Sequence, residues 1–511
     1  MLRNELGKDV DFKINPGLSS CSNNPSSASD YIDPLLKFAA ANIPPSKHKE
    51  TPLFILATAG MRLLPEQTQN AILDDLRRDI PKNYSFILSA NHIQVISGKD
   101  EGIYSWIAIN YLMGKFDHSF SNGPIALIDL GNKFTTRTRT IGMLEMGGAS
   151  LQVAYEITSK NQMNKLKEKF ISDEMIKNMI SDVNLGCSTH DSNHDYHLFV
   201  TTYLGLGANV ARTNYVNSLI SDYLEKIPTT SLNSKVINIT DPCLSIDASE
   251  NITSFNKSKY NNSSIDYIIL KGTGEFENCE FKLKKILNPK VEESKDCYSN
   301  VNLTCPLTKL RDTNTPFAES EFYGFSELWY TMNDVLGLGG DYSYQSFSKA
   351  ASDYCSTNWL VLQDRFNRKL YPKADYNRLL YQCFKSAWIT TILHEGFKMP
   401  KIYKKFRSAL TVKGEQIQWT LGALLFRTRF FPLRAIEQLH IIHSTGNHTP
   451  YFMNYILFIL CMASVVVCIL IYLRHLHKLV NNYDASNGLQ DKNCQFVSVE
   501  MDSLIESQTD L

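Results

Sequence analysis

The sequence predicts an α/β fold with one membrane span near its C-terminus. Three features carry this: a βαβα alternation between Thr51 and Leu112, a glycine-centred hairpin over Ile141 to Ile157, and a charge-free apolar run from Met453 to Leu473. Basic and acidic residues number 52 each, so the formal net charge is zero and nothing steers the chain towards nucleic acid or another polyanion. With 511 residues and a usual domain size of about 150, two large lobes are expected.

The first strand is read in PLFILATA (Pro52 to Ala59), which is apolar, rich in β-forming residues and closed by Gly60. From Pro65 to Ile80, Ile72, Leu76 and Ile80 share one helical face, and Glu66 suits the positive helix end. Strand-like HIQVIS follows, then a turn from Gly98 to Gly102 and an apolar helix through Trp106, Ile109 and Leu112. IGMLEMGGASLQVAYEI reads as two strands joined at Gly147-Gly148. Ile157 to Met179 is charged and helical, and His197 to Asn217 is apolar around a Gly205-Leu206-Gly207-Ala208 turn. Ser231 to Pro316, polar and cysteine-bearing, is expected to be a loop-rich insertion, and Glu321 to Phe397 to be mainly helical.

The run Met453 to Leu473 is long enough to cross a hydrocarbon layer of ~30 Å as a helix. Arg474, His475, His477 and Lys478 follow it, and basic residues beside a span favour the cytosol, so the tail Arg474 to Leu511 is expected there and everything before the span in a lumen or outside the cell. Two features agree with that side. Asn-x-Ser/Thr acceptors occur at Asn83, Asn238, Asn251, Asn256, Asn261, Asn262, Asn302 and Asn447, all before the span. Eight cysteines precede it (Cys21, Cys187, Cys243, Cys279, Cys297, Cys305, Cys355 and Cys383), an even count that suits disulfides, and none has the spacing of a zinc site. The opening residues, MLRNELGKDVDFKINPG, contain no signal-peptide core, and a longer natural chain would account for that.

Three glycine-marked turns hold the candidate chemistry, because glycine lets backbone N–H groups approach phosphate oxygens. In Ala57-Thr58-Ala59-Gly60-Met61-Arg62, Thr58 and Arg62 offer a hydroxyl and a guanidinium, although such a turn also serves structure alone. In Ser97 to Trp106, Glu101 stands between Gly98 and Gly102, either as a general base for water or as an acid stabilising a helix start. In Leu144 to Gln152, Ser150 and Gln152 lie two apart on a strand, hence on one face, where they can hold one water. Glu145, before the glycines, suits a hydrated divalent cation.

Taken in order, these motifs resemble the ectonucleoside triphosphate diphosphohydrolases, or apyrases, and most closely their intracellular Golgi, endosomal and lysosomal branch. The likeness runs from about Lys13 to the span and includes TTYLGLGANVAR (Thr201 to Arg212), FYGFSELWY (Phe322 to Tyr330), YQCFKSAW (Tyr381 to Trp388) and QWTLGALL (Gln418 to Leu425). The resemblance implies two RNase H-like lobes of the actin and sugar-kinase superfamily with the phosphates in the cleft between them. It puts lobe one at 1–100, lobe two at 101–402 with an insertion around 231–316, and a return to lobe one over 403–445. Glu101 then matches the catalytic base, Ser150 and Gln152 the water-positioning pair, Thr58 and Arg62 a phosphate-region motif, and Gly147, Gly148 and Ala149 a phosphate-binding loop. Trp419 matches an aromatic near metal and phosphates, Tyr330 is a candidate for stacking on the base or a core aromatic, and Cys355 and Cys383 match a disulfide. The pairing of Cys243, Cys279, Cys297 and Cys305 stays open among three possibilities.

The implied reaction is attack of water on the terminal phosphorus of a nucleoside di- or triphosphate such as UDP or GDP, with Ca2+ or Mg2+ and no covalent intermediate. Two departures stand out. The family's first motif, Asp-x-Gly-Ser-Ser-Gly-(Ser/Thr)-Arg, is absent, and Asp129-Leu130-Gly131 is read as a decoy in a loop insertion. Glu145 replaces the usual Asp. A chain lacking its natural N-terminal segment, with a further span and the first motif, explains the first departure. The competing expectation is a catalytically impaired nucleotide-binding remnant.

Overall fold

The computed structural model describes residue 3 and residues 10–117, 124–129, 134–169, 178–186, 194–226, 235–253, 265–287, 317, 320–429, 462–476 and 478. Residues 1–431 form one compact unit and 432–511 a second.

The first unit begins with α1 (Ala28–Ala41), β1 (Ile55–Ala57), α2 (Ala59–Arg62), α3 (Glu66–Asn83), β2 (Ile93–Val95) and α4 (Gly98–Leu112). β1 pairs in parallel with β2, Ile55 opposite Ile93. The stripe Ile72, Leu73, Leu76 and Ile80 of α3 is buried with Met61 and Ile93 in one hydrophobic cluster, as the helical period requires.

The turn expected at Gly98 to Gly102 is instead the first part of α4. Ser97 caps the helix by accepting the Asp100 amide, and Asp100 and Glu101 occupy the first turn, where acids stabilise a helix start. The two glycines serve close packing there: a Cβ at Gly102 would lie 2.8 Å from Val200 Cγ1.

β3 (Ile125–Asp129) and β4 (Phe134–Thr138) form an antiparallel hairpin. Asp129 therefore ends a strand, whereas Leu130 and Gly131 fall outside the described residues. Next come β5 (Gly142–Met146), β6 (Ser150–Glu156), β7 (Ile180–Asn184), β8 (Asp195–Leu204) and α5 (Ala208–Leu224).

Residues 231–316 are not simply loop. They include β9 (Val236–Asp241), β10 (Ser249–Ile252), β11 (Tyr267–Gly272) and α6 (Phe276–Leu287), with the strands in the order β10-β11-β9. The stretch looks polar because β9 buries only alternate residues, Ile237 and Ile239, and leaves Asn238 and Thr240 exposed. Cys243 and Cys279 form a disulfide, which selects one partner for each, and Cys355 is bonded to Cys383. Cys187, Cys297 and Cys305 lie outside the described residues, and Cys21 is a buried free thiol.

The remaining elements used below are β12 (Phe322–Ser326), α7 (Glu327–Asn333), β13 (Gly340–Asp341), α8 (Tyr376–Thr390), β14 (Phe406–Ser408) and α9 (Trp419–Thr428). A seven-stranded sheet runs β13-β14-β12-β5-β6-β8-β7. β14 pairs with β12, so 406–408 belongs to this sheet and not to a return into lobe one beginning at 403. Its brevity and its flanking lysines hide it in the sequence.

Both faces of the sheet are covered, which is why β6 is buried at every position. Leu144, Val153 and Tyr155 face the larger core. Met143, Ala154 and Val200 face a second core shared with α4 and α9. Gly422 lets α9 lie against α4, since a Cβ there would come within 1.8 Å of the Tyr104 carbonyl oxygen.

In the second unit a helix covers 462–476, with its residues exposed. The rest of the expected span, 453–461, lies outside the described residues. Among the described residues no helix is long and apolar enough to cross a membrane.

Candidate active site

Strand register sets the first half of the site. Glu145 of β5 lies opposite Gln152 of β6, and Gln152 lies opposite Thr202 of β8. Residues directly opposite in a ladder share a face, and Ser150 joins them through the two-residue period. The face carrying these polar groups is the one covered by α4, whose first turn delivers Glu101.

The side chains meet. Gln152 Nε2 donates to Glu101 Oε2 at 3.0 Å and to Ser150 Oγ at 2.6 Å. Arg62, the last residue of α2, donates from Nη2 to the same Glu101 oxygen at 2.8 Å and reaches Ser150 Oγ at 3.3 Å. Glu101, Ser150, Gln152 and Arg62, all expected at the site, therefore form one network. The pair Ser150 and Gln152 differs from expectation in being bonded directly.

Beside this network lies a trough of about 680 Å3, lined by Thr58, Glu101, Gly147, Gly148, Ala149 and Asn209 among others. The loop Gly147 to Ala149 is a tight turn, closed by Gly147 N–H donating to the Ser150 carbonyl. Its carbonyls accept from the start of α5: Ala208 N–H to Gly147 and Asn209 N–H to Gly148. The Gly148 and Ala149 N–H groups make no backbone hydrogen bond among the described residues, and they are what a phosphate needs.

Gly207 makes this arrangement possible, because a Cβ there would stand 2.4 Å from the Ala149 and Ser150 nitrogens. Its role was not read from the sequence, although the Gly-Leu-Gly turn before a helix was the available signal. Asn209, in the trough wall, was missed as well.

Burial raises the Glu101 carboxyl above its ordinary value, and the Arg62 guanidinium opposes that rise. Glu145 is buried more deeply. Burial first, and then the Glu101 charge, push its carboxyl up to about 7, while hydroxyl donors oppose the rise. Those donors are Ser105 and Ser326, the latter at 3.3 Å. Ser326 has φ 56° and ψ −122°, a backbone conformation unfavourable outside glycine, and this hydroxyl beside Glu145 was not anticipated.

A divalent cation would favour the charged form of Glu145, whose carboxyl burial and Glu101 push up. Among the described residues no cluster of three or more His, Cys, Asp or Glu could ligate a cation directly. The donor set fits a hydrated cation held through water by Glu145 and otherwise by substrate oxygens.

Tyr330 of α7 and Trp419 of α9 are not among the described residues lining the trough. Arg378 of α8 sits over the Tyr330 ring, 4.5 Å from its centroid, and Trp419 packs against the core shared with α4.

Known proteins match this chain over most of its length. Residues 4–442 match the GDA1/CD39 (nucleoside phosphatase) family. The chain belongs to that family. It is similar to ectonucleoside triphosphate diphosphohydrolase 4 of Homo sapiens, at 40% identity over 496 residues, covering 94% of this chain and 76% of that one. It is also similar to the nucleoside-diphosphatase mig-23 of Caenorhabditis briggsae, at 39% identity over 438 residues, covering 86% and 73%. Among solved structures, nucleoside triphosphate hydrolases from Neospora caninum share the fold, with a TM-score of 0.53 at 15% identity over 81% of this chain and 78% of theirs. As a GDA1/CD39 nucleoside phosphatase the chain hydrolyses nucleoside di- or triphosphates, which does not favour the alternative of an inactive remnant.

Proposed function

We propose that this nucleoside phosphatase releases the terminal phosphate of substrates such as UDP and GDP by direct attack of water, with Glu101 as general base. The observation that carries the reading is the meeting of Glu101, Ser150 and Gln152 within 2.6 to 3.0 Å beside the glycine loop. Ser150 and Gln152 hold the water, whose oxygen forms a bond to phosphorus as the bond to the bridging oxygen breaks. Glu101 takes the water's proton. Thr58 and the Gly148 and Ala149 N–H groups bind phosphate oxygens, where charge must be stabilised. Glu145 would hold Ca2+ or Mg2+, and such an ion would neutralise phosphate charge when bound. Tyr330, outside the trough and beside Arg378, is the candidate for contact with the nucleobase, and Trp419 is the candidate for the aromatic near metal and phosphates.

The setting proposed is a lumen of the secretory or endolysosomal pathway, Golgi first, with 453–473 as a membrane span and 474–511 in the cytosol. Among the acceptor asparagines, Asn83, Asn238 and Asn251 are exposed, as glycan attachment requires, while Asn256, Asn261, Asn262, Asn302 and Asn447 lie outside the described residues. The disulfides agree with an oxidising compartment.

The test is phosphate release from UDP by protein expressed into the secretory pathway. Glu101→Gln should lower kcat by ~10²-fold or more with little change in KM. Activity near the wild-type level in that variant would remove Glu101 as the base.

A further inference from the structure

The network described above puts Arg62 in two places at once. Its Nη1 is pinned to the Ile96 carbonyl at 3.0 Å, and its Nη2 is divided between Glu101 Oε2 at 2.8 Å and Ser150 Oγ at 3.3 Å. The Arg62 and Glu101 side chains are only 11% and 9% exposed, so water screens their attraction weakly. The guanidinium, with the Gln152 amide on the same oxygen, opposes the rise that burial gives the Glu101 carboxyl and leaves it a weaker base than burial alone would make it.

We propose that Arg62 is a positioning residue shared between base and substrate: it holds Glu101 in the free enzyme, and an arriving phosphate draws its guanidinium away and thereby releases the base. The proposal rests on the reading of Glu101 as the base.

Three observations support the exchange. Thr58, Ala59 and Gly60, just ahead of Arg62, line the trough together with Gly148 and Ala149, so a phosphate on the glycine loop lies on the α2 side of the base. A guanidinium prefers the forked oxygens of a phosphate, which carries more charge than one carboxylate. The planar guanidinium moves as one piece, so rotation of the Arg62 side chain gives up the Ile96 carbonyl together with Glu101 and needs no movement of α2.

The groups around Glu101 fix the consequence. Arg62 faces it from α2, Glu145 of β5 is a carboxyl that the Glu101 charge pushes up, and β6 contributes only the neutral Ser150 and Gln152. On its own helix, Asp100 is engaged by the Ser97 hydroxyl. Once Arg62 leaves, burial acts on Glu101 without the opposing guanidinium, which increases its affinity for the water's proton. The base is thus strengthened only when a nucleotide is present.

The experiment is steady-state UDP hydrolysis by the full chain from about pH 4.5 to 8.5, comparing wild type with Arg62→Gln. In wild type the acidic limb of kcat, which reports the complex, lies at higher pH than that of kcat/KM, which reports the free enzyme. In Arg62→Gln the kcat/KM limb rises towards the kcat limb, so their separation narrows, and KM rises about tenfold. If Arg62 stays on Glu101 throughout, both limbs rise together and KM is unchanged, which overturns the proposal. If it serves phosphate alone, KM rises and neither limb moves, which also overturns it. Should Arg62→Gln fail to fold, Arg62→Lys keeps the charge without the fork and gives the same comparison with a partial narrowing. Failure of the base assignment itself would appear separately, as activity in Glu101→Gln.

Discussion

At the level of single residues, the site works through short polar contacts that one substitution removes. Ser150→Ala deletes the hydroxyl that both Gln152 and Arg62 address, and should lower kcat for UDP by ~10²-fold while leaving the melting temperature within a few degrees. An unchanged kcat would show that water is positioned elsewhere.

His394 gives a second, pH-dependent prediction. It is half-buried, with Nδ1 2.8 Å from the Met399 carbonyl and Nε2 2.9 Å from the Tyr342 hydroxyl, and burial lowers its pKa below the ordinary 6.5. The unfolded chain therefore binds a proton near pH 6.5 that the folded chain resists. The resulting stability is present above that pH and is lost as the pH falls through the lower folded value. Melting temperatures at about pH 7.5 and about pH 5 should differ, and the difference should shrink in His394→Asn, which keeps a donor for Met399. An equal difference in both proteins would exclude His394 as a contributor.

Glu101, Ser150 and Gln152 could be found in the sequence because each belongs to a short glycine-marked segment with a known local geometry. The Arg62–Glu101 pair could not, since it joins residues 39 apart whose approach depends on how α2 and α4 pack. Ser326 is 181 residues from Glu145, and no local pattern announces that contact.

The next scale is the element. The hairpin of β5 and β6 was legible from alternation around Gly147-Gly148, and α3 from its 3.6-residue stripe. What fixes the glycine loop is a different element, α5, whose first amides satisfy the loop carbonyls. Gly207→Ala forces a Cβ to within 2.4 Å of the Ala149 and Ser150 nitrogens. Backbone must shift, so KM for UDP should rise about tenfold or more and the protein should lose roughly 1–3 kcal/mol of stability in denaturant titration. Wild-type kinetics in this variant would mean that the loop is not held from α5.

β9 to β11 and α6 were misjudged because a sheet with one buried face has a mixed composition, and short strands between charged residues resemble loop. β14 was displaced for the same reason: three residues give too little alternation to recognise, and its place is decided by the β12 edge it joins.

At the scale of the whole molecule, two disulfides among the described residues close segments with sequence separations of 36 and 28 within one unit. Replacing Cys355 and Cys383 together by serine should cost roughly 2–4 kcal/mol, read as a lower denaturation midpoint. The same melting behaviour with and without reductant would contradict this. Chelation should abolish phosphate release, and Ca2+ or Mg2+ should restore it, since the substrate's phosphates bring negative charge beside the buried carboxyls Glu101 and Glu145. Undiminished hydrolysis in excess chelator would dismiss a divalent cation from the site.

The sequence by itself determined the α/β class, the glycine-marked motifs and the family, because these reside in local periodicity and in residue order along the chain. Tertiary structure alone decided that Arg62 grips Glu101, that Gly207 and α5 brace the Gly147 to Ala149 loop, that Cys243 pairs with Cys279, and that 406–408 joins the large sheet. The physical reason is common to all four: each is a contact between distant segments, set by packing that no short window of sequence contains.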